Sequence, residues 1–328
     1  MSTPIKHSVL VIGCGRIAGG SEFIIDRELK LTHAWAYTNH DLFQIDACIE
    51  PDHSRRKLFM ERWGVKNGFS NLEEYKKEGL SCDVASICSP SNTHADILND
   101  LVTSPLSAIF CEKPFTTDIN KSKILIDKYK KAKIPIAVAY LRRWNQSIHT
   151  IKHELDNLNW GKVRGVTGYY TKGVLNNGSH LLDLINFLLG KLEIVTVTNK
   201  RIDYDICDPT IDAVLCDKNS VPIHLIGMDS NDYTLFELHL HCEKGVVSIE
   251  QSGQIIRRRT ITEDIHHTGY KQLQSGVWDN QKYINPYMSA LDNLNAVIQG
   301  TDVLKSDSES AYYVQSICSE LIDRAKAL

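Results

Sequence analysis

Residues 9–20 read VLVIGCGRIAGG, a β-branched apolar run that breaks into Gly13-x-Gly15-x-x-Ala18. A strand feeding a glycine turn of that spacing is the dinucleotide-binding fingerprint in its final-alanine form. Each small residue has a physical reason. Gly13 permits the tight turn, Gly15 lets backbone approach a pyrophosphate, and Ala18 lets the following helix sit close to the sheet. Arg16 and Ile17, inside the motif, are expected beside the same cofactor.

Working outward, short β-branched runs recur at 7–12 (HSVLVI), 44–49 (QIDACI), 83–88 (DVASIC), 108–112 (AIFCE) and 135–140 (PIAVAY). Helical patterns at 52–63, 71–79, 92–103 and 118–132 separate them, and that alternation predicts a doubly wound parallel sheet. After 142 the character changes. A helix over 145–158, a strand over 162–171 and a helix carrying His180 precede a succession of strand-like runs from 193 to about 262, joined by turns such as DSND and EKG. Successive strands of that kind predict an antiparallel sheet. Residues 263–286 are polar and predict a loop, and helices over 285–299 and 307–326 close the sequence. The expected architecture is an α/β Rossmann domain over 1–141 and an α+β domain with an open, mainly antiparallel sheet over 142–328, the C-terminal helix being a candidate to pack back on the first domain. An open sheet that exposed an apolar face would aggregate unless covered, which favours a homodimer or homotetramer.

Composition narrows the function classes. The 328 residues suit two domains. With 37 Lys and Arg against 40 Asp and Glu the formal charge is −3, and no basic run is long enough to track a phosphate backbone, so nucleic acid is not an expected partner. No stretch approaches the roughly 20 apolar residues that span a bilayer. The opening MSTPIKHSVLVIGCG runs into a glycine turn in place of a cleavage site, so a cytoplasmic protein with no membrane partner is expected. The nine cysteines are scattered and include no C-x-x-C pair, which argues against a disulfide framework. In HLHC, His239 and His241 share one strand face, but one strand supplies at most two ligands, so no metal is expected.

An acidic residue should end the second strand, about 20 residues past the glycines, to bond the ribose. Glu50 has the setting but lies 35 residues after Gly15, so an insertion is expected in GGSEFIIDRELKL, 19–31. A carboxylate there repels a 2′-phosphate and favours NAD, while Ser54, Arg55 and Arg56 close behind keep NADP possible. Two further segments lie at carboxyl ends of parallel strands, where such sheets bind ligands: ICSPSNTHADI, with Ser89, Pro90, Asn92 and His94, and FCEKPFTTD, with Glu112 and Lys113. A lysine between an apolar strand and Pro114 is poorly placed for the surface. Burial and a neighbouring nicotinamide cation would both lower its pKa toward neutrality.

NNGSHLLDLINFLLG, 176–190, sets His180 and Asp183 one turn apart among leucines. They are either the wet stripe of an amphipathic helix, together with Asn186, or a proton-handling histidine oriented by an aspartate. Tyr170 and Lys172 just upstream, Arg143 and Asn145 in RRWNQ, and Tyr283 and Tyr287 are candidates to bind substrate hydroxyls.

Taken in order, GCGRIAG, SPSNTH, EKP, YLRRWN, NNGSHLLDLINFLLG and the closing SDSESAYYVQSICSELIDRA resemble the Gfo/Idh/MocA oxidoreductases, a likeness covering nearly the whole sequence. The resemblance implies nicotinamide-dependent oxidation of a secondary hydroxyl, or the reverse, on a sugar, sugar nucleotide or cyclitol. It implies that Lys113 exchanges the proton and that His180 shares that role or fixes the hydroxyl. Many members carry an aspartate four residues before that histidine. Here Asn176 stands there, followed by Asn177, and an amide orients a hydroxyl but accepts no proton in this range. Two rivals follow: a regulator that senses a nucleotide or sugar on the same fold without turnover, and a glycosidase using bound NAD for transient oxidation.

Overall fold

The computed structural model describes residues 6–21, 25, 30–280 and 285–328. Its contacts divide the chain into two compact units, 1–144 with 284–312 and 145–283 with 313–328. The first holds a six-stranded sheet of β1 (His7–Ile12), β2 (Phe43–Ile49), β3 (Asn67–Phe69), β4 (Val84–Ile87), β5 (Ala108–Cys111) and β6 (Ile136–Val138), in the order β3-β2-β1-β4-β5-β6. Every pairing is parallel. The order reverses between β1 and β4, the crevice where a dinucleotide binds in such sheets. Strands β4, β5 and β6 are buried at every residue, as expected for a sheet covered on both faces. Leu10, Ile87 and Phe110 are fully buried, each contributing about 1.5–3 kcal/mol of transfer free energy.

Helices α1 (His33–Asn39), α2 (His53–Trp63), α3 (Leu72–Lys77), α4 (His94–Leu101) and α5 (Ile119–Ala132) link these strands. Asp52, Asn71 and Asp118 cap α2, α3 and α5 by accepting backbone N–H groups of the first turn. The first helix departs from the usual plan. Residues 16–19 form one turn, and α1 starts only at His33, behind a Thr32 cap. The amides of His33 and Ala34 donate to the carbonyls of Ile17 and Ala18. His33 and Ile17 are sixteen residues apart where a helix uses four, so about twelve more residues separate them than a continuous helix would need. Without them Glu50 falls close to the usual distance past the glycines.

In the second unit α6 (Gln146–Asp156) precedes β7 (Val163–Tyr170), α7 (Ser179–Leu189), and the strands β8 (Leu192–Asp205), β9 (Asp208–Asp217), β10 (Pro222–Gly227), β11 (Phe236–Cys242), β12 (Gly245–Glu250) and β13 (Ile255–Glu263). The region expected to be a loop carries two more strands, β14 (Lys271–Leu273) and β15 (Val277–Asn280), both antiparallel to β13. That expectation fails because three- and four-residue strands show no periodicity of their own and are held by the partner. Arg257 of β13 also stacks 4.7 Å over the Trp278 ring of β15. The sheet order is β14-β13-β12-β11-β7-β10-β9-β8, and β7 with β10 is its parallel pair. Strand β10 alternates, with Ile223 and Leu225 buried and Pro222 and His224 exposed, the pattern of a sheet with one open face. Helices α8 (Pro286–Ile298) and α9 (Ser308–Ala325) complete the described elements. No helix among the described residues is long and apolar enough to cross a membrane.

Candidate active site

Gly13 ends β1 with φ of +87°, and a Cβ there would meet the Ser89 backbone at 2.6 Å. Only glycine satisfies both the turn and that approach. A Cβ on Gly15 would meet nothing within 4 Å. Its backbone borders a cavity of about 680 Å³, which Arg16, Ser21, Asp52, Ser54 and Arg55 also line. The cavity lies at the carboxyl ends of β1 and β2 and is large enough for part of a dinucleotide, so these residues fit the cofactor the fingerprint implies. Ala18 is fully buried and Ile17 is 38% exposed.

Glu50 is buried, and its hydrogen bonds brace the phosphate turn. Oε2 accepts from the Cys14 amide at 3.0 Å, and Oε1 accepts from the Asp52 amide at 3.1 Å and from Arg55 at 3.4 Å. The Arg56 guanidinium donates to the Glu50 carbonyl. Arg55 and Arg56 are therefore tied to the strand end and are not merely a solvated helix face. Asp52 and Ser21 were not among the expected cofactor residues. Asp52 is legible afterwards as an N-cap at a strand-to-helix junction, whereas Ser21 has no local signal.

In the SPSNTH segment Pro90 and Asn92 are exposed, and Ser89 accepts a hydrogen bond from Thr93 at 2.7 Å. His94, expected beside the cofactor, is instead fully buried. Its ring nitrogens lie 2.9 Å from the Pro114 carbonyl and 3.0 Å from the Ser89 carbonyl, joining the two ligand-facing loops from within.

Lys113 follows β5, half-buried. Beside it the Glu112 carboxylate accepts from His33 Nε2 at 2.9 Å and the Tyr287 hydroxyl at 3.1 Å through Oε1, and from the Lys113 amide at 3.3 Å through Oε2. Burial works against the charge on Glu112, but these donors and the Lys113 ammonium outweigh it and hold the carboxyl below its usual range. Tyr287, expected at substrate, is buried and committed to Glu112. Arg143 is also buried, in the short helical turn Leu141–Trp144, and donates to the Lys305 carbonyl at 3.4 Å. Tyr283 lies outside the described residues.

In the second unit His180 occupies the first turn of α7 and is half-buried. Asp183, one turn on, is 1% exposed, so it does not belong to a wet stripe. Asn186 spends its side chain on the Gly190 carbonyl. Ahead of α7 the chain takes left-handed conformations at Lys172 (φ 65°) and Gly173 (φ 76°), then makes a π-helical turn over Gly173–Gly178. That turn hangs on Asp208 of β9, whose two carboxylate oxygens accept the amides of Leu175 at 2.7 Å and Asn176 at 2.9 Å. Asn176 and Asn177 are half-buried on the turn. Tyr170 is not available to substrate as expected: it is fully buried, and its hydroxyl donates to the Ile211 carbonyl and accepts from the Ile211 amide, both at 2.8 Å. Neither Asp208 nor His33 was expected, since nothing local links residue 208 to the turn at 173 or residue 33 to Glu112. Among the described residues no three His, Cys, Asp or Glu side chains gather as a metal would require. His239 spends Nδ1 on the Ser248 hydroxyl at 2.8 Å.

Residues 7–140 match an oxidoreductase family defined by an NAD-binding Rossmann fold. The D-apiose dehydrogenase of Rhizobium rhizogenes is 24% identical over 224 residues, 63% of this chain and 61% of that protein. The inositol 2-dehydrogenase of Rhizobium meliloti is 28% identical over 130 residues, 35% of this chain and 39% of that protein. The match thus spans less than two thirds of the length of either curated relative. In fold, the chain is similar to the NADP-bound 3-ketoreductase of Actinomadura kijaniata, with a TM-score of 0.76 at 17% identity over 98% of this chain and 97% of that one.

Proposed function

We propose that the chain, whose residues 7–140 match the NAD-binding Rossmann part of the Gfo/Idh/MocA oxidoreductases, oxidises a secondary hydroxyl, or reduces the matching ketone, of a sugar, sugar nucleotide or cyclitol. The reading rests on one observation above the others: the open backbone at Gly15 borders a cavity at the carboxyl ends of β1 and β2, and a lysine follows β5, two strands from β1 in the same parallel sheet. When bound, the nicotinamide cofactor supplies or accepts the hydride. Gly13, Gly15, Arg16 and Ser21 hold its phosphates, and Glu50 with Asp52 meets the adenosine ribose, favouring NAD. Arg55 and Ser54 leave room for NADP.

The chain's own chemistry is proton transfer. Lys113 takes the proton from the reacting hydroxyl, or returns it to the ketone oxygen, as hydride leaves or arrives. His180 shares that transfer or holds the hydroxyl. Asn176 and Asn177 orient substrate hydroxyls by hydrogen bonding, because amides do not ionise here. Equilibrium binding of NADH and NADPH, followed by NAD⁺ reduction with myo-inositol and D-apiose as first probes, tests the reading. Tight NADH binding and turnover that falls by about 10²–10⁴ in both Lys113→Ala and His180→Ala are expected. Binding of neither cofactor, or full turnover in both variants, overturns it.

A further inference from the structure

His33 comes from outside the fingerprint and the motifs around Lys113. It opens α1, where the chain returns from its excursion, and its ring is fully buried. Nε2 faces the Glu112 carboxylate at 2.9 Å and Nδ1 faces the Ser86 hydroxyl at 2.9 Å. Both ring nitrogens therefore face an oxygen able to accept a hydrogen bond, the arrangement a doubly protonated imidazolium needs. The ring also packs 4.7 Å from Phe110 and 4.8 Å from Tyr287, tilted against both, which fixes its orientation.

A buried imidazolium is costly in isolation and tolerable opposite a carboxylate. The other titratable groups around the pair are Cys88 after β4, Cys111 on β5, Tyr37 on α1 and Tyr287 on α8. Burial keeps Cys111 and Tyr37 neutral by driving their pKa values up. The charge partners of Glu112 are thus His33 on one side and Lys113 on the other. Burial opposes the charge on His33, but Cys88 and Glu112 outweigh it and raise its pKa to about 10.

We propose that His33 is a tuning residue for Lys113: as a buried cation it neutralises Glu112, so that the carboxylate does not hold the proton on the neighbouring ammonium. Lys113 then gives up its proton closer to neutrality than it would beside an unshared carboxylate. The inference rests on the reading of Lys113 as the proton-exchanging group, since only then does its proton affinity matter for turnover. Glu112 is consequently a shared counter-ion. Tyr287 and Ser86 are positioning residues that fix the carboxylate and the ring.

The test is the pH dependence of Lys113 acetylation by trace acetic anhydride in the full chain, read on the Lys113 peptide by mass spectrometry. His33→Gln should raise the labelling midpoint by about one pH unit and Glu112→Gln should lower it by a similar amount, as expected for a unit charge several ångströms away. A residue that only supported the fold would give no shift, or shifts of one sign in both variants, and either result overturns the proposal. If a variant fails to fold, nitrogen NMR of the His33 ring in the unaltered protein decides. A ring charged at neutral pH is required, and a neutral ring overturns the inference. Lys113 labelling is read without substrate, so its outcome is separate from that of the turnover test. Lys113→Ala retaining full activity would remove the proton-exchanging role of Lys113 and leave the charge coupling intact.

Discussion

Lys113 and His180 are held by opposite means. The strand end at Lys113 is fixed by ionisable side chains, with Glu112 between His33, Tyr287 and the lysine's own amide. The turn before His180 is fixed through backbone, with Asp208 gripping two successive amides and Gly173 in a conformation that L residues avoid. Charge pairs respond to pH, whereas a backbone clamp responds chiefly to shape. The two regions should therefore fail under different insults.

The largest effect is expected at the backbone clamp. A Cβ on Gly173 would sit 2.2 Å from the Asp208 carboxylate at a φ of +76°. Gly173→Ala should cost about 4 kcal/mol, backbone strain and clash adding, visible in denaturant unfolding at any pH near neutrality. A cost under about 0.5 kcal/mol would mean that the turn yields easily and that the contrast is overdrawn.

Next comes the charge pair. The folded pKa of Glu112 lies below its ordinary 4.5, so its contribution is present above that value and is lost as pH falls through the folded pKa. That of His33 is raised from 6.5 to about 10, so its contribution is complete below 6.5 and fades as pH rises toward 10. The stability lost in His33→Gln should be largest between about pH 4.5 and 6.5, near 3 kcal/mol, and should shrink on either side. A loss that does not vary with pH would assign His33 a packing role alone.

The smallest effect tests a second carboxylate that, like Asp208, grips two backbone amides. Glu50→Gln retains an acceptor for the Cys14 amide but removes the charge. It should reduce the preference for NADH over NADPH about five-fold, roughly 1 kcal/mol, in equilibrium binding. An unchanged ratio would leave Glu50 as a brace for the turn and nothing more.

The same contrast separates what sequence reveals from what it hides. Strand β1 lies at the residues its apolar run marks, and the glycine turn follows from spacing alone, because both are local demands of backbone and burial. Lys113 and His180 are singled out as candidates by motif order. Their supports are not. His33 meets Glu112 79 residues away and Asp208 meets Leu175 33 residues away, and neither approach leaves a period or a motif behind. Strands β14 and β15 stay hidden for a related reason, since their order derives from β13. Tyr170, Tyr287 and His94 mislead in the opposite direction. Each is a polar residue near the expected site, and each is consumed by an internal hydrogen bond that only the fold discloses.

The spliced helix carries a consequence for descent and engineering. Its two halves share backbone hydrogen bonds, so Ile17 and Ala18 lie beside His33 and Ala34. The exit is secured by Arg62 and Trp63 on the Gly19 carbonyl, the return by Asn285 on the Lys30 carbonyl. A segment mounted on adjacent anchors is a cassette: its length can drift between lineages, or be exchanged in the laboratory, at a loop-closure cost that grows only slowly with length. The residue at the return anchor is followed within a few positions by His33, so an exchange at this port could alter proton affinity at Lys113 without touching any residue that meets substrate.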